Sequence, residues 1–284
     1  MKYYYYIYDY FKTSYYNLKS IILKVKGEKV IVSKFADVRN FGDNFNFDLI
    51  KYFGYNLIWT KDYKKSQVSL TGSILGSYLN DFNGFILGSG FIRSGFKRFP
   101  NDWKVKLIRG PLSAQQCSAK DVVYGDPGLL ASIVYNDLKK TKKYKLGIIP
   151  HSQDYDSLKS LEFNDVLIIN PREKSRLVAS NVLKCEAIGS SSLHGLIFAD
   201  SFGIPNIHIK LSDKLTGGNH KFVDYYSAFN IKHDFIDLRS EKFDIKAINQ
   251  IKQKSKINFE KLELVKIKEN IIRVMSENLQ FIFK

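Results

Sequence analysis

In Ile188-Gly-Ser-Ser-Ser-Leu-His-Gly-Leu-Ile-Phe-Ala-Asp-Ser-Phe-Gly-Ile-Pro205, three serines and a histidine stand between an apolar run and a segment of amphipathic spacing. The order reads as the end of a buried strand, a tight turn and a helix that begins near Ser192. Pro205, after Gly203, fits the helix stop and the entry to the next strand. A helix that opens directly after a buried strand aims its free backbone N–H groups at the crevice above the sheet, where an anion can bind. His194 falls in the first turn, where an ionisable ring can act on what that crevice holds. A ring that only hydrogen-bonds the loop is the structural alternative.

The elements that must position these side chains follow from apolar patterning. Val30, Ile31 and Val32 form the centre of a strand-like run that leads into Arg39-Asn-Phe-Gly-Asp43, a turn, and then a helix-like segment over 47–53. Residues 68–75, 84–87, 105–108 and 122–124 read as further short strands. The third of these ends at Arg109 and the fourth precedes Gly125-Asp-Pro. The lysine-rich stretch 138–145 lacks a core-forming pattern and reads as a linker. A second set of strands follows over 146–149, 165–169, 187–188 and 204–209. Apolar strands alternating with helical patterns predict open parallel sheets with helices on both faces. Residues 259–284 read as helical, with Leu264, Ile267, Ile271, Val274, Met275 and Ile282 near the 3.6 period and Asn278 interrupting the stripe. Two placements are open for that helix: packed back on the first domain, or lying on a membrane by its basic residues Lys261, Lys266, Lys268 and Arg273.

The chain has 284 residues, enough for one large or two ordinary domains. No run approaches the 18 or more apolar residues of a membrane span. The N-terminus lacks a basic start and an apolar h-region, so it does not read as a signal peptide. Cys117 and Cys185 have no metal-ligand spacing and suggest a reducing compartment. These features predict a cytoplasmic protein, soluble or peripheral on the inner face of the cell membrane. With 44 basic and 28 acidic residues, the formal charge of +16 suits an anionic partner. Scattered lysines without zinc-finger spacing or an RNP-type motif argue against nucleic acid. An anionic membrane surface, where each basic residue gains about 1 kcal/mol, or a phosphorylated substrate fits better. A charge that is compositional and simply solvated is the remaining alternative.

Seven fragments, in order, resemble the polysaccharide pyruvyl transferase family. They are Asn40-Phe-Gly-Asp43, Gly88-Ser-Gly90, Arg109-Gly-Pro-Leu-Ser113, Gly125-Asp-Pro-Gly-Leu-Leu130, Gly147-Ile-Ile-Pro-His151, the Ser-Ser-Leu-His-Gly and Ala-Asp-Ser-Phe-Gly-Ile-Pro pair around His194, and Lys221-Phe-Val-Asp-Tyr-Tyr226. Together they span about residues 34–226. The resemblance implies an α/β fold of two Rossmann-like domains in the GT-B-like arrangement: 1–137 on the acceptor side, a linker at 138–145 and 146–240 on the donor side. The tail 241–284, to which the resemblance does not extend, reads as C-terminal helices for which packing back on the first domain is one of the two open placements. It implies transfer of a pyruvyl group from phosphoenolpyruvate to a sugar of a surface polysaccharide or its lipid-linked precursor. The product is a pyruvate ketal, and the scheme needs neither cofactor nor metal.

That chemistry asks for cations and helix N-termini around a highly charged donor, a general acid for the methylene carbon and a base for the acceptor hydroxyl. The implied general acid is His194, its pKa lowered by the helix start and raised again by bound phosphate and carboxylate. His151 assists protonation or binds phosphate, with a structural turn histidine as its alternative. Arg109, Ser191, Ser192 and Lys221 hold the donor; a plain N-cap and turn is the alternative for the serines, a surface arginine for Arg109. Asn40 and Asp43 face the acceptor, Asp43 orienting a hydroxyl, although Asx residues beside glycine also form turns anywhere. Asp126 and Asp224 shape the cleft. Gly88-Ser-Gly90 is too short for a dinucleotide fingerprint. Many relatives carry an arginine two places before the histidine, where this chain has Ser192, so another cation must take the donor phosphate. A nucleotide-sugar-dependent glycosyltransferase on the same type of fold is the alternative enzyme, although no glutamate in the second-domain loops suggests a ribose contact. A non-catalytic basic binding module is the third reading, and it has little use for a histidine at an anion-holding helix start.

Overall fold

Brief Val/Ile/Leu runs bounded by Gly, Asn and Ser are too short for helices and become strands, and the longer polar-apolar segments between them become helices. In the computed structural model, residues 2–35, 40–77, 82–96, 103–239 and 243–283 are described, with side chains from residue 11 onward. Arg39 lies outside the described residues. The first half runs α1 (Lys2–Val25), β1 (Val30–Ser33), α2 (Phe41–Tyr52), β2 (Asn56–Trp59), β3 (Val68–Ser69), β4 (Phe85–Leu87), β5 (Lys104–Ile108), α3 (Pro111–Gln116), β6 (Val123–Tyr124) and α4 (Ala131–Val134). The second runs β7 (Tyr144–Ile149), α5 (Tyr155–Leu158), β8 (Val166–Ile168), α6 (Ser175–Leu183), β9 (Cys185–Ser190), α7 (Leu193–Ser201), β10 (Asn206–Lys210), α8 (His220–Ser227) and β11 (Phe235–Asp237), followed by α9 (Ile245–Lys254) and α10 (Lys261–Leu279).

The protein is thus α/β with two parallel sheets, ordered β2-β1-β3-β4-β5-β6 and β11-β10-β9-β7-β8. Both follow one rule. The first strand of each half has the second strand on one side and the third on the other, so the order reverses between β1 and β3 and again between β7 and β9. In open parallel sheets, ligands sit outside the carboxyl ends of the strands at such a reversal.

Several expectations from the sequence change here. The stretch Phe41–Asp43 is the first turn of α2 rather than a loop, because the Asn40 side chain accepts a hydrogen bond from the Gly42 N–H and caps the helix there. The expected strand over 68–75 ends at Ser69. The expected linker 138–145 gives up its last two residues to β7. The segment after Ser192 is not amphipathic, since all nine residues of α7 are buried. A helix buried on every side belongs inside a core. It packs against α2, α4 and the short 3-10 turn Pro127–Leu130 of the first half, and against α6, β9 and β10 of the second. Phe198 meets Phe41 and Phe45 edge-on, with centroids 5.1 and 5.3 Å apart. Burying each large apolar side chain of α7 is worth about 1.5–3 kcal/mol, so the two halves share one core.

The C-terminal helices divide between the halves. α9 packs on β7, β9 and β10, whereas α10 packs on β4, β5 and β6. Leu264, Ile271, Val274 and Met275 are all buried, so the apolar stripe of α10 is core and not a membrane face. Ile271→Ala should therefore lower stability by about 2–4 kcal/mol in a urea titration, whereas Leu262→Ala, at an exposed position of the same helix, should leave the midpoint nearly unchanged.

Candidate active site

The carboxyl ends of β7 and β9 lie side by side, and the segments that follow them, together with the start of α2, carry ionisable side chains. After β9, Ser190 ties down the turn. Its Oγ donates to the Ile149 or Ser192 carbonyl (2.8 Å each) and accepts from the Ser192 N–H (3.0 Å). Ser192 then caps α7 by backbone geometry alone, without a side-chain bond to the helix. Ser191 Oγ accepts the His151 N–H at 2.7 Å and so joins the ends of β7 and β9.

His194 lies two residues into α7 and reaches across to the start of α2. A Cβ placed on Gly42 would sit 1.9 Å from its Nδ1, so only glycine lets the imidazole lie on that backbone. Its Nε2 is buried and has no partner. Burial, and then the cations of Lys221 and Arg109, push its pKa down to about 3, so the ring is neutral at pH 7. The expected lowering is present, but it comes from burial and two cations. His151 is also held down, to about 4, by burial and Lys221 against the opposing charge of Asp154. Its Nδ1 accepts the Gln153 N–H at 3.4 Å, which leaves Nε2 to carry the proton of the neutral ring.

Lys221, at the start of α8, is the cation common to these groups. It is buried, and its pKa falls to about 8 through burial and Arg109, against the pull of Asp43. Asp43, in the first turn of α2, is pushed up to about 7 by burial, which Asp126 reinforces and Lys221 opposes. Asp126 is pushed up to about 6 by burial, against the Gly128 N–H that its Oδ1 accepts at 2.8 Å and against Arg109. Its Oδ2 is buried without a partner. Asp126 stands near the imidazole, since a Cβ on Gly128 would lie 3.1 Å from its Oδ1 and 3.8 Å from His194 Cδ2, and the Nε2 of that neutral ring is buried without a partner. Strongly shifted groups that gather in one cleft mark a functional site.

Arg109 differs from its expected role. The guanidinium is fully buried and spoken for: Nε donates to Asp224 Oδ2 (2.9 Å), Nη1 to Ser73 Oγ (2.6 Å) and Nη2 to the Phe91 carbonyl (2.6 Å). Gly90 leaves room for it, since a Cβ there would lie 2.4 Å from Cζ. Asp224 is saturated in turn by the N–H and Oγ of Ser113. The pair fastens β5 and α3 to α8 instead of presenting a fork to a ligand, and Lys221 is left as the cation on the cleft. Asn40 is likewise occupied by its cap, whereas Asp43 stands in the cluster.

Sequence reasoning passed over two residues of this arrangement. Ser73 follows the short strand β3 in a Thr-Gly-Ser turn with no signature of its own. His208 on β10 donates to or accepts from His233 (Nδ1···Nε2 3.0 Å), and its pKa is lowered by burial, His233 and Lys221. Asp224→Ala should cost about 3–5 kcal/mol of unfolding free energy, because it strands a dry guanidinium. Removing Asp137 from its exposed pair with Arg176 should hardly move the same urea midpoint.

Comparison with known proteins gives two relatives. The uncharacterized protein L143 of Acanthamoeba polyphaga mimivirus is 30% identical over 234 residues, which cover 75% of this chain and 78% of L143. The succinoglycan biosynthesis protein ExoV of Rhizobium meliloti (strain 1021) is 26% identical over 207 residues, 68% of this chain and 63% of ExoV. A crystal structure of a functionally uncharacterized protein from Klebsiella pneumoniae subsp. pneumoniae NTUH-K2044 aligns over 78% of this chain and 98% of its own, at 15% identity and a TM-score of 0.40. No family model matches the chain. By its identity to L143 over three quarters of its length, the chain belongs to the same family as that mimivirus protein.

Proposed function

We propose that the protein is a polysaccharide pyruvyl transferase, which moves a pyruvyl group from phosphoenolpyruvate onto two hydroxyls of a sugar in a polysaccharide or its lipid-linked precursor. The observation that carries the reading is His194: a neutral imidazole with an orphaned Nε2 at the start of a buried helix, lying on the backbone of Gly42, the residue before Asp43, and under the charge of Lys221. A succinoglycan biosynthesis protein among the relatives supports a role in making polysaccharide.

The donor's phosphate and carboxylate bind toward the first N–H groups of α7 and the Lys221 ammonium. Their negative charge offsets the two cations that hold His194 down, so its pKa rises and the ring takes up a proton. Nε2 then gives that proton to the methylene carbon, and C2 becomes an oxocarbenium-like centre. The first sugar hydroxyl attacks C2 while its proton passes to the Asp43 carboxylate. Phosphate departs with the C2–O electron pair and collects the proton from Asp43. The second hydroxyl attacks the same carbon and closes the ketal ring, and its proton returns to His194. Every proton is accounted for within the two side chains and the leaving group.

Three outcomes follow. Phosphoenolpyruvate at 100 times its Kd should stabilise the protein by about 2.7 kcal/mol in a thermal melt, whereas nucleotide-sugars should not shift the transition; the reverse would favour a glycosyltransferase. His194→Ala should keep the native melting profile and lose at least about 100-fold in turnover with phosphoenolpyruvate and an oligosaccharide acceptor; normal turnover would remove His194 from the chemistry. The pH profile of kcat/KM should fall as pH rises above about 7, because the active form carries a proton on His194 and none on Asp43, and more steeply beyond about 8 as Lys221 loses its charge. A kcat/KM that rises through this range in the parent protein would contradict the assignment.

A further inference from the structure

Helix α1 faces the wrong way for a helix that only caps a domain. Its inner side carries Lys12, Thr13, Tyr16, Ser20 and Leu23, with half-buried Lys19 at the edge between the two sides. Lys12 Nζ lies 3.7 Å over the Trp59 ring, and Tyr16 stacks on Phe47 at 6.0 Å. The outer side carries Phe11, Tyr15, Leu18, Ile21, Ile22 and Val25, which are 46–82% exposed. At 100° per residue these six cover about 120° of the helix, with Ser14 the one polar residue among them. A contiguous apolar face of this kind on a folded protein marks an interaction surface.

Charge decides the partner. Lys19 borders the stripe on one side and Lys24 on the other, and Asp9 is the one acidic residue in the whole helix. Just beyond its end, Lys29 Nζ lies 5.9 Å over both Tyr55 and Phe283, which stack on each other with Phe283 partly exposed. A second copy of the chain laid against this face would bring lysines near lysines with almost no carboxylate to answer them. An anionic surface that is apolar beneath would meet both features. Lysines along the borders can extend to phosphate while the stripe sinks below it, and tyrosines favour that boundary. The charges along α1 fit a helix lying in the plane of the interface, and no helix among the described residues is long and apolar enough to cross a membrane.

We infer that α1 docks the protein on an anionic lipid bilayer through Phe11, Tyr15, Leu18, Ile21, Ile22 and Val25, with Lys19 and Lys24 on the headgroups. The inference does not depend on the reaction proposed above.

Sedimentation of the full chain with vesicles tests it. Vesicles of phosphatidylcholine with phosphatidylglycerol should bind it at least tenfold better than phosphatidylcholine alone at low salt, and the difference should shrink as salt rises. Leu18→Asp combined with Ile22→Asp, both at exposed positions, should weaken binding tenfold or more with an unchanged melting profile. A Tyr15→Trp variant should lose fluorescence to brominated lipid, while the native Trp59 and Trp103 are buried and out of reach of the quencher. This readout stands alone if the double variant fails to fold. Absent binding, binding that the double variant retains in full, an unquenched Tyr15→Trp, or a parent dimer that the double variant dissolves would each overturn the inference, the last by assigning the face to a second copy.

Discussion

The structure depends on the complete burial of α7. A nine-residue helix with Leu193, Leu196, Ile197 and Phe198 inside can exist only if something surrounds it, and neither sheet supplies enough cover alone. The second half gives β9, β10 and α6, and the first gives α2, α4 and the turn at Pro127. Wrapping one helix from two sides brings the carboxyl edges of both sheets to its N-terminus. The site is therefore a consequence of the core: His194 rests on Gly42 because α7 lies against α2.

The same burial sets the electrostatics. Removing water raises Asp43 and Asp126 and lowers Lys221, so these three, well separated in water, move toward one another near neutrality, while the same burial drives His151 and His194 below their ordinary range and keeps both rings neutral. Lys221 couples to most of them, and a change in its charge or surroundings is felt by both histidines and by Asp43. An anion that settles beside it would shift the whole set at once.

Much of this was legible in the chain. The alternation of apolar runs marks most of the strands, and the serine-rich turn places the helix start near Ser192, which is the N-cap of α7. The start of α2 was misread because Asn-Phe-Gly-Asp has the composition of a turn; Phe41 and Phe45 become helical since their burial against Phe198 outweighs that preference. Strands β2 and β11 escaped notice, Asn56–Trp59 and Phe235–Asp237 being too brief to carry a period. α7 looked amphipathic because Ser, Asp and His break its apolar run, yet those polar residues are buried too: Asp200 accepts from Asn206, Asn258 and Tyr225. Arg109 read as a free fork because its partner lies 115 positions away, a distance at which local pattern says nothing.

That partnership has a mechanical meaning. Arg109 belongs to the first half and Asp224 to the second, and both are dry. Pulling the halves apart would strip Asp224 of Arg109 and Ser113 and leave the Arg109 charge with only the neutral Ser73 and Phe91 oxygens, at a cost of several kcal/mol, in addition to exposing α7. The pair therefore acts as a rivet: it holds α8, and with it Lys221, against the end of β5, so the cation that lowers both histidines keeps its place only while the two halves stay joined.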